Sequence, residues 1–268
     1  MTEALLRLED LSVHFPDPHR PGGVVKAVDG VSLEIAPGEI LGLVGESGSG
    51  KTTLGKTLLR LHASQGGRIL LQGRDITHLG DAALRPHRRA MQMVFQDPLS
   101  SFNPRHTIGQ AIATPLLLHS LCPRREVPAR VAGLMEDVGL PASFAARYPH
   151  QLSGGQLQRA AIGRALALSP SLLVADEAVS KLDVSVRAQI LNLLRATQRR
   201  AGLAMLFITH DLHVARFLCH RVGVMHFGKL LEIGPTEQIF RAPAHDYTRA
   251  LIGTLRDLPV PHHDRSLP

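Results

Sequence analysis

The sequence has no tryptophan, only two tyrosines and only two cysteines in 268 residues. Aromatic residues make up 4%, so no basic stripe is interleaved with rings on which nucleic-acid bases could stack. Cys122 and Cys219 are too few for a disulfide framework and have no metal-ligand spacing. No run approaches the roughly 18 uncharged apolar residues of a membrane-spanning helix. The opening MTEALLRLEDLSV is acidic and lacks the basic-then-apolar layout of a secretion signal, so a cytoplasmic chain is expected.

Hydrophobic residues account for 44% of the chain, enough for a substantial core in one larger domain or a core with a satellite subdomain. The net charge is +7 and the pI about 10.1. Its arginine pairs (Arg88-Arg89, Arg124-Arg125, Arg199-Arg200) are spread along the chain. That distribution suits a membrane-facing position better than a nucleic-acid groove, and no nucleic-acid partner is expected. Fifteen histidines are present, yet no helix-spaced pair stands with a third ligand. His210 and His213 are three apart, and His262-His263 lie in a Pro-rich stretch.

Residues 3–15, containing LRLEDLSVHF, alternate as a half-buried strand. FPDPHRPGG (15–23) is turn-rich, and VVKAVDGVSLEIAPGE reads as two short strands joined by a DG hairpin turn. EILGLVG (39–45) resembles a buried parallel strand. KTTLGKTLLRLH then turns helical. Strand-like runs follow at RILLQG (68–73), AMQMVF (90–95), SLLVAD (171–176), AMLFIT (204–209) and RVGVMHFG (221–228), separated by helical stretches such as RAQILNLLRATQRR (187–200). This alternation predicts an α/β fold with a parallel sheet. Residues 97–165 lack strand character and read as a helical insertion, with HTIGQAIATPLLLH and ARVAGLMEDVGL as its helices. A short polar tail is expected over residues 256–268.

GESGSGKT (45–52) fits the phosphate-binding pattern G-x-x-x-x-G-K-[ST]. Gly45, Gly48 and Gly50 let the backbone curl with its N–H groups inward, and the following helix aims its positive end at the same point. Glu46, Ser47, Ser49 and Thr53 complete the loop. Lys51 can reach the β- and γ-phosphates of a nucleotide, and the Thr52 hydroxyl can ligate Mg²⁺. An accidental Gly/Ser loop would not also follow an apolar strand and open a helix.

SLLVADE has the same layout of apolar strand and then acid. Its strand is expected beside that of the phosphate loop, with Asp176 in the Mg²⁺ shell and Glu177 as general base toward the attacking water. AMLFITH ends at His210, which can bond the γ-phosphate and the water. In open parallel sheets ligands sit beyond the strands' carboxyl ends, so the three strands deliver their polar residues to one place.

QLSGGQLQR (151–159) resembles the signature motif of the ABC (ATP-binding cassette) ATPases, and the other cassette motifs follow suit. VFQDP (94–98) resembles the Q-loop, DEAVSKLD the Walker B end and D-loop, and ITHD (208–211) the switch histidine. The resemblance spans residues 4–255. It implies a P-loop NTPase with a RecA-like core, an N-terminal antiparallel β subdomain and an inserted α-helical subdomain. It also implies ATP and Mg²⁺ as cofactors. Phe15 would stack on adenine, and Gln96 would sense the γ-phosphate and the Mg²⁺ and couple to membrane subunits. Ser153, Gly154, Gly155, Gln156 and Asp183 would act in trans on a partner's ATP in a head-to-tail dimer.

FQDPLSSFNPR (95–105) and PAHDYTRALIGTL (243–255) resemble the ATPases of bacterial dipeptide, oligopeptide and nickel importers. Ala178 in place of a common proline, and no cysteine-containing extension after YTRAL, favour nickel over peptide within that group. The resemblance then implies a motor at the cytoplasmic face of the inner membrane, attached peripherally. Its partners would be a second homologous ATPase, two transmembrane permease subunits and, indirectly, an external solute-binding protein. A peptide-import ATPase is the alternative. A soluble cassette of DNA repair or translation is more remote, because such proteins carry two cassettes or a long coiled coil.

Overall fold

The computed structural model describes residues 3–18, 20 and 22–256. From residue 257 on, the expected tail lies outside the described residues, as do His262 and His263. In chain order the elements begin with β1 (Leu6–Pro16), β2 (Val24–Ile35), β3 (Ile40–Val44) and α1 (Lys51–Leu58). Next come β4 (Gly66–Leu71), β5 (Arg74–Asp75), α2 (Asp81–Ala90) and β6 (Met91–Val94). The only long helices between β6 and the next strand are α3 (Ile108–Leu118), α4 (Val127–Asp137) and α5 (Gly154–Leu166). The chain continues through β7 (Leu172–Asp176), α6 (Val184–Ala201), β8 (Ala204–Ile208), α7 (Leu212–Leu218) and β9 (Arg221–His226). It ends in β10 (Lys229–Pro235), α8 (Thr236–Arg241) and α9 (Asp246–Arg256).

Two sheets result. One has the order β2-β1-β4-β5 and is antiparallel; the other has the order β10-β9-β3-β8-β7-β6 and is parallel except for the β9–β10 pair. The strands β3, β7 and β8 are buried at every residue, as an apolar run covered on both faces must be. Their alternate side chains divide between two cores. Leu41, Leu43, Leu172, Val174, Leu206 and Ile208 pack toward the antiparallel sheet and α1. Ile40, Val44, Leu173, Ala175, Met205 and Phe207 pack toward α3 to α7. Gly42 has no side chain because one would meet the Cys219 sulfur at 2.7 Å. Cys219 is buried in that contact, which holds its thiol far above the usual range, so it is an inert packing group.

Three expectations are corrected. The Asp29-Gly30 pair is no hairpin turn: β2 runs straight through it. The register jumps from Val13↔Val28 to Leu11↔Val31, a bulge with Gly30 at φ +65° donating its N–H to Ser12 Oγ at 3.0 Å. Both halves of β2 pair with β1 because Val28, Val31, Leu33 and Ile35 need its apolar face. RILLQG leaves the α/β alternation and pairs antiparallel with β1, where Ile69 and Leu71 face the same core as Leu6 and Leu8. Finally, β7 does not lie beside β3; β8 intervenes and pairs with both.

Among the described residues no helix is long and apolar enough to cross a membrane.

Candidate functional site

The phosphate loop leaves β3 at Gly45 and enters α1 at Lys51. Gly50 sits at φ +100°, and a Cβ there would stand 2.0 Å from the Ala27 carbonyl oxygen. At Gly45 a Cβ would meet the Met225 carbonyl oxygen at 2.1 Å. The loop is therefore wedged between β2 and the end of β9, and only glycine fits either position. With Gly50 as its N-cap, α1 has no side-chain cap and no acid in its first turn. Its leading N–H groups are free of side-chain competitors. Lys51 is buried and donates to the Gly45 carbonyl at 2.8 Å, the Glu46 carbonyl at 2.6 Å and Ser49 Oγ at 3.0 Å. Burial lowers its pKa, while Glu177, Asp176 and Glu46 act to keep it charged.

Opposite lies the end of β7. The Thr52 hydroxyl donates to Asp176 Oδ1 at 2.9 Å. Asp176 is 4% exposed; burial raises its pKa, partly offset by the Thr52 hydrogen bond. A buried carboxylate beside a hydroxyl is a donor set that suits a hard cation such as Mg²⁺. Glu177 then takes a left-handed backbone, φ +46°, with its N–H on the Ile208 carbonyl of β8 at 2.9 Å. The turn places its side chain between two partners. Gln96 Nε2, beyond the end of β6, donates to Glu177 Oε2 at 2.5 Å. On the other side, His210 Nδ1, beyond the end of β8, lies 3.1 Å from Glu177 Oε1.

These groups face one cleft of about 740 Å³ lined by Ser47, Gly48, Gly50, Lys51, Thr52, Thr53, Gln96, Glu177 and His210. That volume falls within the range of small-molecule and cofactor sites. An uncapped helix end, a buried lysine and a threonine–carboxylate pair together fit a nucleotide with its Mg²⁺. Neither Glu46, which is exposed, nor Ser49, which is buried, lines the cleft. The Gln96 amide faces Glu177 in this arrangement.

Other predicted residues lie elsewhere. Phe15 does not line the cleft; its ring meets His62 edge-on, with centroids 5.7 Å apart. Its β2 partner Val25 does line the cleft, and so do Lys26, Ala27, Gly228 and Phe227, which is 79% exposed. Phe227 was missed because nothing in RVGVMHFG marks its ring as a wall. Its visible signal is the FG pair, left-handed at both residues, which turns β9 into β10. Residues 153–156 and Asp183 are also outside the cleft. Ser153 caps α5 in a reciprocal box with Gln156. Asp183 caps α6, and the donors Val186 N–H and Ser185 Oγ hold its carboxyl below the usual range.

Comparison with known proteins agrees with this fold. The family model described as ABC transporter matches residues 28–180, more than half of the chain. The chain is 49% identical over 270 residues to the glutathione import ATP-binding protein GsiA of Escherichia coli K12, and 52% identical to that of Shigella dysenteriae. Both alignments cover 99% of this chain but only 43% of the relative, so the chain spans less than half the length of these proteins. Among solved structures, the ATP-binding cassette MJ0796, in a dimeric post-hydrolysis state bound to ADP and Pi, superposes with a TM-score of 0.79. It is 28% identical, covering 86% of this chain and 98% of that one. The protein cbiO1 from Clostridium perfringens, part of the ABC transporter complex cbiONQ, gives 0.78 at 25% identity, covering 95% and 99%. The chain belongs to the ABC transporter family and has the fold of its ATP-binding cassettes.

Proposed function

We propose that this chain is the ATP-hydrolysing motor of a bacterial importer whose cargo is of the peptide class. The observation that carries the motor reading is Glu177 held between Gln96 and His210 at the mouth of the phosphate loop. Glu177 is placed to take a proton from a water, and His210 and Gln96 to orient it. Lys51 and the α1 N-terminus would bind the phosphates. Thr52, Asp176 and Gln96 would hold Mg²⁺, and the ion when bound would neutralise phosphate charge. Phe227 and Val25 offer an apolar wall for the base. Residues 153–156 and Asp183 would serve a second cassette across a head-to-tail dimer, a reading supported by the dimeric state in which MJ0796 was solved. The second cassette would be a homologous subunit, and the pair would dock on two membrane permeases at the cytoplasmic face of the inner membrane. An external binding protein would deliver the cargo.

For cargo, the relatives' names support peptide import, since glutathione is a tripeptide, and give nickel no support. Ala178, the residue that favoured nickel, is 3% exposed in the core behind Glu177. It packs against this chain's own side chains and has no route to report on a transported molecule.

Glu177→Gln should lower the turnover of MgATP by about a hundredfold or more, the scale of a lost general base, while ATP binding persists. Undiminished phosphate release would refute the motor reading. Cargo is tested separately: cells lacking the gene should lose uptake of labelled glutathione or short peptides and keep uptake of labelled nickel. The reverse pattern would restore nickel and leave the motor reading intact.

A further inference from the structure

An ion pair outside the cleft closes a ring behind its polar end. Arg187, in the first turn of α6, donates through Nη1 to Asp211 Oδ2 at 2.9 Å. Its Nη2 approaches the Leu182 carbonyl at 3.4 Å, and its buried Nε has no hydrogen-bond partner among the described residues. Asp211 is fully engaged. Its other oxygen, Oδ1, accepts the His213 and Val214 N–H groups at 2.9 and 3.2 Å and so caps α7. Its own N–H donates to Thr209 Oγ1 at 3.0 Å. His210 lies between these two anchored neighbours, with its ring on Glu177.

The opposite half of the ring is the loop after β7. The Glu177 carbonyl accepts Ser180 N–H at 3.1 Å and Ser180 Oγ at 3.0 Å. The loop then runs through Leu182 to Asp183, the cap of the helix that carries Arg187. Glu177 and His210 therefore sit on two segments joined at the front by their own hydrogen bond and at the back by Arg187.

We propose that Arg187 is a positioning residue for hydrolysis: through Asp211 it fixes the His210 ring against Glu177, and through Leu182 it ties that setting to loop 177–183. The proposal rests on the reading of Glu177 and His210 as the hydrolytic pair. A purely structural role would leave a partly exposed ion pair of little consequence for stability and no specific effect on turnover.

The test uses the full chain, MgATP hydrolysis at saturating ATP, and thermal melting as a folding control. Asp211→Asn is the cleanest variant, since asparagine caps a helix as well as aspartate does while losing the ion pair. Asp211→Asn and Arg187→Gln should each lower kcat about tenfold, as expected for a small misplacement of a reacting group. KM for MgATP should change less than about twofold. Arg187→Lys should recover part of the loss. In a His210→Ala background, Arg187→Gln should cost nothing further, because both changes break one linkage. Unchanged kcat in Asp211→Asn, or full additivity with His210→Ala, would overturn the proposal. If Arg187→Gln does not fold, Asp211→Asn alone decides. Loss of turnover in Glu177→Gln but not in Asp211→Asn rejects the positioning role alone; intact turnover in Glu177→Gln rejects it together with the motor reading.

Discussion

The phosphate loop and the signature segment have the same composition, serine and glycine opening a helix, and opposite local chemistry. At the phosphate loop the cap position is Gly50, left-handed and without a side chain, so α1 begins with its N–H groups unclaimed. At residues 153–156 the cap is Ser153, which accepts Gln156 N–H at 3.4 Å while Gln156 Oε1 accepts Ser153 N–H at 3.1 Å. The first helix end is open toward a cleft lined by its own chain; the second is closed on itself with Ser153 exposed. A helix N-terminus attracts anions only as far as its donors are free. The first helix end is therefore free to take an anion within one chain, while at the second any ligand would have to displace a weak internal bond.

Lys51→Met gives the largest effect on this contrast. A charge-assisted contact of about 1.5–3 kcal/mol is lost, so MgATP affinity of the dilute chain should fall roughly ten- to a hundredfold by calorimetry. A smaller loss from Lys51→Met than from changes at Ser153 would break the comparison. Gly155→Ala comes next. Its Cβ would stand 2.4 Å from Val186 Cγ1, an overpacking worth about 1–3 kcal/mol. The melting temperature should drop by several degrees and recover when Val186→Ala is added. No recovery would mean that Gly155 is not a packing glycine in its own chain. Ser153→Ala is the mildest: losing the cap costs about 1 kcal/mol, roughly 2–4 °C for a chain of this size. ATP affinity of the dilute chain should stay unchanged, while hydrolysis at high chain concentration falls. Weakened binding in the dilute chain would place Ser153 in the first site after all.

Much of the site was legible because its residues sit where one element ends and another begins. GESGSGKT, SLLVADE and AMLFITH each announce an apolar strand followed by polar groups; Lys51, Glu177 and His210 do line one cleft, and Asp176 lies buried on the hydroxyl of Thr52, which lines it too. Gln96 was legible only through family resemblance, because VFQDP has no chemistry of its own. The aromatic expected at the cleft is less legible: the Phe15 ring meets His62, while Phe227, marked in the sequence only by the FG pair of its hairpin tip, lines the cleft.

The sequence by itself determined the fold class, the anion cradle and the order of polar groups along the chain, since local periodicity and glycine placement act within a few residues. Only the tertiary structure decided which strands are neighbours. It put β8 between β3 and β7, sent β4 to the other sheet and turned Asp29-Gly30 into a bulge. Pairing is settled by which apolar faces bury each other across long stretches of chain, and no local pattern carries that information. The Arg187–Asp211 bridge belongs to the same class: two residues 24 positions apart, joined because a helix start and a strand end meet in space.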